Sequence, residues 1–255
     1  MTTNVYDSHA GVVATDSRWS IQQGRWLVYV DDVPFHKIET LGQIAFVFAG
    51  KGRRIQEWKN WIRTKPSDLS ARPSVDGISI CLVEMVSKEV LFCEKQDIVK
   101  DGASFAGSGS RFAYMCWAVN RDARKSVESA KRLDHASGGD VKFLQFLDRV
   151  NNLNFASVVA EATIDMVDAA VRKRGMVMDL YENRTGGVPF KFSDIAASSP
   201  ADDEDLLKLN ARVTSGEASA EAPCDGMYSD WTAEQEAKLE EQRGPEAPIF
   251  DKRNS

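Results

Sequence analysis

Short blocks of alternating apolar and polar residues fill the first hundred positions of the chain, and turn-forming residues separate them. Alternation with a period of two is typical of strands with one buried face, and an unbroken apolar run is typical of a central strand. The pattern predicts a hairpin at the start of the chain and a second hairpin after residue 77. The predicted strands cover residues 3–8, 11–15, 26–30, 37–41, 44–49, 78–84, 89–93, 103–106 and 141–146.

Other segments space their apolar residues as a helix does. Ile55, Trp58 and Ile62 recur at intervals of three and four residues, which is the spacing of one helix face. The predicted helices cover residues 53–63, 110–119, 122–133 and 155–174. Blocks of strands, then helices, then strands favour an α+β fold in which two layered sheets lie under helices.

The composition changes beyond residue 193. Residues 194–255 hold 6 Lys and Arg against 15 Asp and Glu, a net charge of −9. The whole chain carries −6, so residues 1–193 carry about +3. An acidic segment with few aromatic residues has little apolar surface to bury. We therefore predict a domain over 1–193 and an acidic, largely flexible extension over 194–255, with one short helix near 233–242.

Charge and residue chemistry argue against several classes of function. A nearly neutral body with an acidic extension disfavours nucleic acid as a partner. Four Cys and three His show no ligand spacing, so the sequence predicts neither a metal nor a cofactor. The chain begins without a basic-then-apolar signal segment, and no apolar run approaches the length of a membrane span. We therefore expect a reduced, cytoplasmic protein without a membrane partner.

The chain begins Met1-Thr2-Thr3, a start that carries candidate chemistry. If Met1 is removed, Thr2 holds a hydroxyl and a free α-amine within one residue. An ordinary Thr hydroxyl is a poor nucleophile, but an amine that titrates near neutrality takes its proton through a bridging water. Thr2 is therefore a candidate nucleophile.

Five further motifs follow Thr2. They are Ala14-Thr15-Asp16-Ser17-Arg18, Lys37, Ala49-Gly50, Gly107-Ser108-Gly109-Ser110 and Asp134-His135-Ala136-Ser137-Gly138-Gly139. In this order they resemble the motifs of proteasome-type β-subunits, including the HslV peptidase and bacterial proteasome-related homologues. The resemblance covers residues 2–139. It implies an N-terminal-nucleophile hydrolase, with a four-layer αββα sandwich of two antiparallel sheets between helices.

The resemblance also implies a role for each matched residue. Thr2 would be the nucleophile and its own amine the general base. Lys37 would lower the pKa of the hydroxyl, because a buried ammonium favours the ionised form of a neighbouring group. Asp16 would pair with Lys37 and keep it charged, since an unpaired buried ammonium is costly.

Four more residues receive roles in the same way. Ser108, Asp134 and Ser137 would hold the α-amine by hydrogen bonds. The backbone N–H of Val47 would donate to the oxyanion, and a backbone donor needs no particular side chain. Family members usually carry Gly at this position, so Val47 would narrow the cleft.

The implied activity is that of a self-compartmentalising threonine peptidase. Its substrates would be peptides or unfolded proteins, cleaved inside homo-oligomeric stacked rings, with an ATP-dependent unfoldase as a further partner. The resemblance implies no cofactor. Trp58 and Trp61, on one predicted helix, are a candidate contact surface between subunits.

Simpler interpretations of the same residues stay open. Asp16 also fits a turn at a strand end, and Lys37 also fits an ordinary solvated lysine. The Gly-rich run at 107–109 also suits a flexible turn before a helix, although no P-loop lysine follows it. Asp134 and His135 invite a Ser-His-Asp triad, but adjacent residues on a loop rarely point together.

Two other functions stay open as well. The first is a ring-forming scaffold subunit of the same fold that has no chemistry. The second is an N-terminal-nucleophile hydrolase that acts on small amides rather than on peptides.

Overall fold

A computed structural model describes residues 2–66, 70–153, 162–181, 188–195 and 203–224. Within these residues the chain is α+β, with two antiparallel sheets and five α-helices. The strands are β1 (Asn4–Asp7), β2 (Val12–Thr15), β3 (Trp19–Gln23), β4 (Trp26–Val30), β5 (Ile38–Leu41), β6 (Ile44–Lys51), β7 (Ile78–Glu84), β8 (Val90–Glu94), β9 (Ile98–Lys100), β10 (Ala103–Ala106), β11 (Lys142–Gln145), β12 (Met176–Asp179), β13 (Phe190–Lys191) and β14 (Glu221–Ala222). The helices are α1 (Gly52–Arg63), α2 (Ser110–Asn120), α3 (Ala123–Leu133), α4 (Ile164–Arg174) and α5 (Glu204–Ser215), and a 3₁₀ turn spans Phe192–Asp194.

The two sheets differ in size and in their helices. The five-stranded sheet has the order β11-β2-β1-β10-β9, and α2 and α3 pack on it. The nine-stranded sheet has the order β13-β12-β4-β3-β14-β6-β7-β8, with β5 also paired to β6. Helices α1, α4 and α5 pack on this second sheet.

Alternation along β6 shows how one strand serves two cores. Phe46 and Phe48 point into the cluster that the larger sheet shares with its helices. Ala45 and Val47 point the other way, into a cluster shared with Tyr6 and other residues of the smaller sheet. Because successive side chains of a strand face opposite sides, β6 lies between the two clusters. The arrangement is compatible with a sandwich of two sheets between helices.

Most predicted elements coincide with observed ones, and the main difference lies after residue 194. The sequence predicted a largely flexible extension there, but α5 buries Leu206, Leu209 and Val213, and β14 is a strand inside the larger sheet. The acidic run that precedes these residues hid a helical apolar spacing. The short helix expected at 233–242 lies outside the described residues.

Trp58 and Trp61 do not form the contact surface that the sequence suggested. Trp58 is fully buried on α1, where it packs against Phe48. Trp61 is half-buried and meets the Trp58 ring edge-on at 5.5 Å. The pair therefore belongs to the core under α1. Among the described residues, we find no helix with both the length and the apolarity needed to cross a membrane.

Candidate functional site

The first hairpin sets one half of the candidate site. Thr2 and Thr3 lead into β1, and Asp16 follows β2, which pairs with β1 in register Asn4 to Thr15. The ladder continues one residue further, since the Asp16 N–H donates to the Thr3 carbonyl at 3.2 Å. Asp16 therefore lies beside the start of the chain because both strands end at this point.

Lys37 approaches from the larger sheet. It immediately precedes β5, and its carbonyl accepts a hydrogen bond from the N–H of Phe48 in β6 at 2.9 Å. Its ammonium lies 5.7 Å from the ring centroid of Trp19 in β3. The lysine side chain thus crosses from the larger sheet to the end of the first hairpin.

Thr2, Asp16 and Lys37 form one hydrogen-bonded group. The Thr2 hydroxyl donates to Asp16 Oδ1, and Lys37 Nζ donates to Thr2 Oγ1. Lys37 Nζ and Asp16 Oδ1 form an ion pair at 2.9 Å. Asp16 and Thr2 are 0% exposed and Lys37 is 1% exposed. A buried ammonium needs a partner of opposite charge, and this one has both a carboxylate and a hydroxyl.

The remaining lone pairs of Asp16 are taken by backbone donors. Oδ1 accepts from the N–H of Thr3 at 2.8 Å. Oδ2 accepts from the N–H groups of Arg18 and Gly138, both at 3.1 Å. A carboxylate with this many donors is held in one orientation, so Asp16 fixes the position of both Lys37 and Thr2.

The surroundings lower the pKa of Asp16, which favours its charged form, and lower the pKa of Lys37, which favours its neutral form. Burial by itself raises the pKa of the Asp16 carboxyl, but the charge of Lys37 and hydrogen bonds from Thr2, Lys37 and Thr3 bring that pKa below its ordinary value. Burial lowers the pKa of Lys37, and the attraction of Asp16 offsets only part of the effect. The group therefore joins a firmly ionised carboxylate to an amine that releases its proton more readily than a surface lysine does.

Ser108, Asp134 and Ser137 form a second cluster that touches the first through Thr3. The hydroxyls of Ser108 and Ser137 both donate to Asp134 Oδ2 at 2.7 Å. Ser137 Oγ lies 2.7 Å from Thr3 Oγ1. This cluster therefore meets the start of the chain at the Thr3 side chain, whereas the sequence predicted contact with the amine of Thr2.

Two glycines allow this close approach. Gly107 has a φ of +94°, and a Cβ there would lie 2.2 Å from the Thr2 carbonyl oxygen. A Cβ on Gly109 would lie 1.9 Å from Thr3 Oγ1. The Gly109 N–H donates to the Thr2 carbonyl at 3.1 Å. The Gly-rich run therefore serves as the backbone wall of the site.

Arg18 is a contributor that sequence reasoning missed. Its guanidinium forms two 2.8 Å hydrogen bonds to Asp31 and one of 2.6 Å to the carbonyl of His135, and it lies 3.6 Å from the Tyr29 ring centroid. It thus fastens the loop 134–139 to the larger sheet. The position two residues after Asp16 was the only available signal, and the partners are remote in sequence. The carbonyl of His135 binds Arg18 while the Asp134 carboxylate binds the two serines, which is not the geometry of a triad.

Val47 lies at the level of Lys37 in the sheet. It pairs with Ile38 of β5 and Cys81 of β7, and its side chain is buried between the sheets. No hydrogen bond joins it to Thr2 in the described part of the chain. Its oxyanion role stays a prediction from the resemblance.

The described residues give no support for a metal site beside Thr2, and the cavity that they form lies elsewhere. In the described ranges no group of three or more His, Cys, Asp or Glu has the arrangement of a metal site. A cavity of about 610 Å³ lies at the far end of β1, where Asp7, His9 and Arg121 line it. Thr2 lies at the opposite end of that strand, so this cavity is separate from the candidate site.

Comparisons with known proteins give a likeness to solved structures alone. No protein-family model matches the chain, and no curated protein matches it. Eukaryotic HslV from Trypanosoma brucei is 18% identical, with a TM-score of 0.37 over 57% of this chain and 99% of that one. BPH from Thiobacillus denitrificans in complex with epoxomicin is 15% identical, with a TM-score of 0.36 over 57% and 98%. BPH alone is 16% identical, with a TM-score of 0.36 over 57% and 97%.

Proposed function

We propose that this chain is a threonine peptidase of the N-terminal-nucleophile type, with Thr2 as nucleophile. The observation that carries the proposal is the fully buried contact of the Thr2 hydroxyl with both Lys37 Nζ and Asp16 Oδ1. A hydroxyl becomes a useful nucleophile when a base or a cation lies next to it in a dry site. The order of motifs that resembles proteasome-type β-subunits gives the same reaction class and a four-layer αββα sandwich.

The proposed reaction begins with attack of Thr2 Oγ1 on a peptide carbonyl. The hydroxyl proton passes to the α-amine of Thr2 once Met1 has been removed. The Lys37 ammonium, which donates to Thr2 Oγ1, stabilises the negative charge that develops on that oxygen. The C–N bond then breaks, the leaving amine takes up the proton, and an acyl ester remains on Thr2. Water, activated by the freed amine, hydrolyses the ester and restores the hydroxyl.

The other motif residues support the nucleophile in this proposal. Asp16 orients Lys37. The cluster of Ser108, Asp134 and Ser137 contacts Thr3 and in this way positions Thr2 and Thr3. The oxyanion role of the Val47 N–H stays a prediction from the resemblance, since the Phe48 N–H faces Lys37 and the Val47 N–H therefore faces Cys81 of β7. The amine of Thr2 is expected to meet the Ser137 cluster only in the processed chain, because processing changes the group attached to that nitrogen.

Substrate and assembly follow from the same proposal. The substrates are peptides or unfolded proteins, cleaved within stacked rings of this chain, and an ATP-dependent unfoldase is the proposed delivery partner. Light scattering coupled to size exclusion measures the assembly directly. We expect a mass several times that of the 28.3 kDa chain, and a stable monomer would contradict the ring.

Covalent labelling tests the nucleophile. We expect a peptide epoxyketone or boronate to modify Thr2 in the processed protein, and the Thr2→Ala and Lys37→Ala variants to lose this labelling. Lys59→Ala is the matched control, since Lys59 is equally buried, pairs with Glu39 at 3.2 Å and lies outside the site. Full labelling or full peptidase activity in either site variant would refute the mechanism.

A second candidate is a ring-forming scaffold without chemistry. The observation in its favour is the 0% exposure of Thr2, which leaves the hydroxyl without an open approach. Intact mass separates the two candidates. A processed chain lacking Met1 supports the enzyme, whereas a retained Met1 blocks the amine and supports the scaffold.

A further inference from the structure

Strand β14 occupies an unusual position in the larger sheet. It comes from the end of the described chain, yet it lies between β3 and β6, which belong to the first fifty-one residues. Glu221 pairs with Ser20 on one side and Lys51 on the other, and Ala222 pairs with Gly50. Without β14, β3 and β6 would face each other across a slot one strand wide, each with unpaired backbone groups.

This slot leads to the candidate site. On the β3 side, the Trp19 ring lies 5.7 Å from Lys37 Nζ. On the β6 side, the N–H of Phe48 donates to the Lys37 carbonyl. Glu221 lies opposite Lys51 and Ala222 opposite Gly50, so the chain direction of β14 points toward Phe48, whose N–H is bonded to the Lys37 carbonyl. The segment therefore runs along the slot toward Lys37 and Thr2.

The side chains of residues 217–224 that are buried in the slot are all small. Ala218, Ala220, Ala222 and Cys224 are buried, and the residues between them are half-buried. The backbone also lies unusually close to α1, since a Cβ on Gly52 would be 2.2 Å from the Ala220 carbonyl oxygen. An extended chain with small residues at every second position fits into the slot beside α1.

A buried carboxylate on α4 helps to anchor the segment. Asp168 on α4 accepts a hydrogen bond from the Ser219 hydroxyl at 2.9 Å and one from the Ala220 N–H at 2.7 Å. Its neighbour Asp165, one turn away on the same helix, is exposed and forms an ion pair with Arg53, which also lies 3.6 Å from Asp168. Asp168 thus holds the entry to β14, while β14 itself is only two residues long.

We propose that residues 217–224 are a resident strand that occupies the peptide slot of the proposed peptidase and keeps it closed. The inference rests on the proposed function. A peptide substrate enters by adding a strand between β3 and β6, so β14 has to leave first. The favoured substrates are extended segments with small side chains at alternate positions. A tethered strand competes at a high effective concentration, which makes the unaltered chain a weak peptide binder.

The experiment measures binding of a fluorescent peptide with the sequence of residues 217–224, with serine in place of Cys224. Binding is followed in a full-length Thr2→Ala background, so that no chemistry consumes the peptide. Asp168→Asn weakens the anchor, and Ala222→Pro removes a ladder donor, which a central strand does not tolerate. Asp165→Asn is the matched control on the same helix. We expect at least tenfold tighter peptide binding in the two test variants and none of this gain in the control.

Hydrogen exchange shows whether a test variant has released β14 alone or has lost the structure of the whole sheet. In the test variants the amides of β3 and β6 should lose protection and regain it when peptide is added, while β4 and β7 stay protected. No gain in peptide binding with both variants folded would overturn the proposal. Loss of protection throughout the sheet in both variants would overturn it too, because β14 would then be an integral strand.

Labelling of Thr2 separates this inference from the proposed function. If peptide binds the Asp168→Asn variant but the same variant with Thr2 intact is never labelled by an epoxyketone, the slot stands and the peptidase fails. If Thr2 is labelled equally fast in the unaltered chain and in both variants, the peptidase stands and the resident strand is refuted.

Discussion

At the scale of single residues, the site depends on one buried ion pair that shares a hydroxyl. Lys37 and Asp16 are both removed from water, and each would be costly alone. The pair is tolerated because backbone N–H groups of Thr3, Arg18 and Gly138 satisfy the carboxylate. Such an arrangement holds two ionisable groups beside Thr2 with little freedom to reorient.

This pair gives a prediction about stability and pH. The folded pKa of Asp16 lies below its unfolded value of about 3.9. Its contribution to stability is therefore full above that value and is lost as the pH falls through the folded pKa. We expect Asp16→Asn to lower the free energy of unfolding by about 3–5 kcal/mol at pH 7, because Lys37 is left buried without its partner.

Urea unfolding at pH 7 and at pH 3 measures both parts of this prediction. The difference in stability between the unaltered chain and Asp16→Asn should shrink at the lower pH. Asp165→Asn, on an exposed residue, serves as control and should follow the unaltered chain. A gap between the two proteins that is as wide at pH 3 as at pH 7 would contradict the prediction.

The sequence predicted the three residues of this group but not the residues that hold them in place. Thr2, Asp16 and Lys37 were found because their order along the chain matches a motif series. Thr3 and Arg18 were missed because their partners, Ser137 and the carbonyl of His135, are more than one hundred positions away. A single sequence carries no signal for such contacts between loops.

At the scale of elements, the site depends on how the loop 134–139 is fastened. That loop supplies Asp134 and Ser137 to one cluster and the Gly138 N–H to Asp16. One link to the larger sheet is the Arg18 guanidinium, which donates to the His135 carbonyl and is held by Asp31 and the ring of Tyr29. Arg18 is thus a positioning residue that acts on Thr2 through Gly138 and Asp16.

We predict that Arg18→Lys lowers the rate of Thr2 labelling about tenfold, equivalent to about 1.4 kcal/mol. A lysine offers no planar fork for Asp31 and does not reach the His135 carbonyl at the same time. The pH at which labelling is half-maximal should move as well, because the donors around Asp16 change. Arg25→Lys, on a partly exposed ion pair with Asp203, is the control. A lower melting temperature with unchanged labelling rate and pH profile would reduce Arg18 to a structural role.

Elements were predictable where apolar alternation is strong. The hairpin β1–β2 and strands β4, β6 and β7 carry Val, Ile, Leu or Phe at buried positions, and the sequence located all of them. Strand β14 is only two residues long, and the buried residues that lead through it are alanines, which give a weak apolar signal. Helix α5 does carry a readable spacing in Leu206, Leu209 and Val213, but the acidic composition around it masked the signal.

At the scale of the whole molecule, the core of the larger sheet is complete only when the segment after residue 203 packs against it. Leu206, Leu209 and Val213 are buried in the same core as Trp58 and Phe48. Polar contacts join the same elements, with Arg212 bonded to Gln23 at 2.7 Å and Arg25 to Asp203 at 2.9 Å. The structural core therefore extends past the boundary at 193 that composition alone favours.

Two truncations test where the folding unit ends. We predict that a chain ending at residue 224 folds as the full chain does, and that a chain ending at residue 195 is unstable. Full burial of a Leu or Val side chain stabilises by about 1.5–3 kcal/mol, so three of them approach the total of about 5–15 kcal/mol for a domain. The shorter chain also leaves β3 and β6 with unpaired edges that invite aggregation. Thermal melts of both proteins decide the matter. A cooperative transition in the shorter chain within a few degrees of the longer one would mean that α5 is dispensable for folding, and that composition located the boundary correctly.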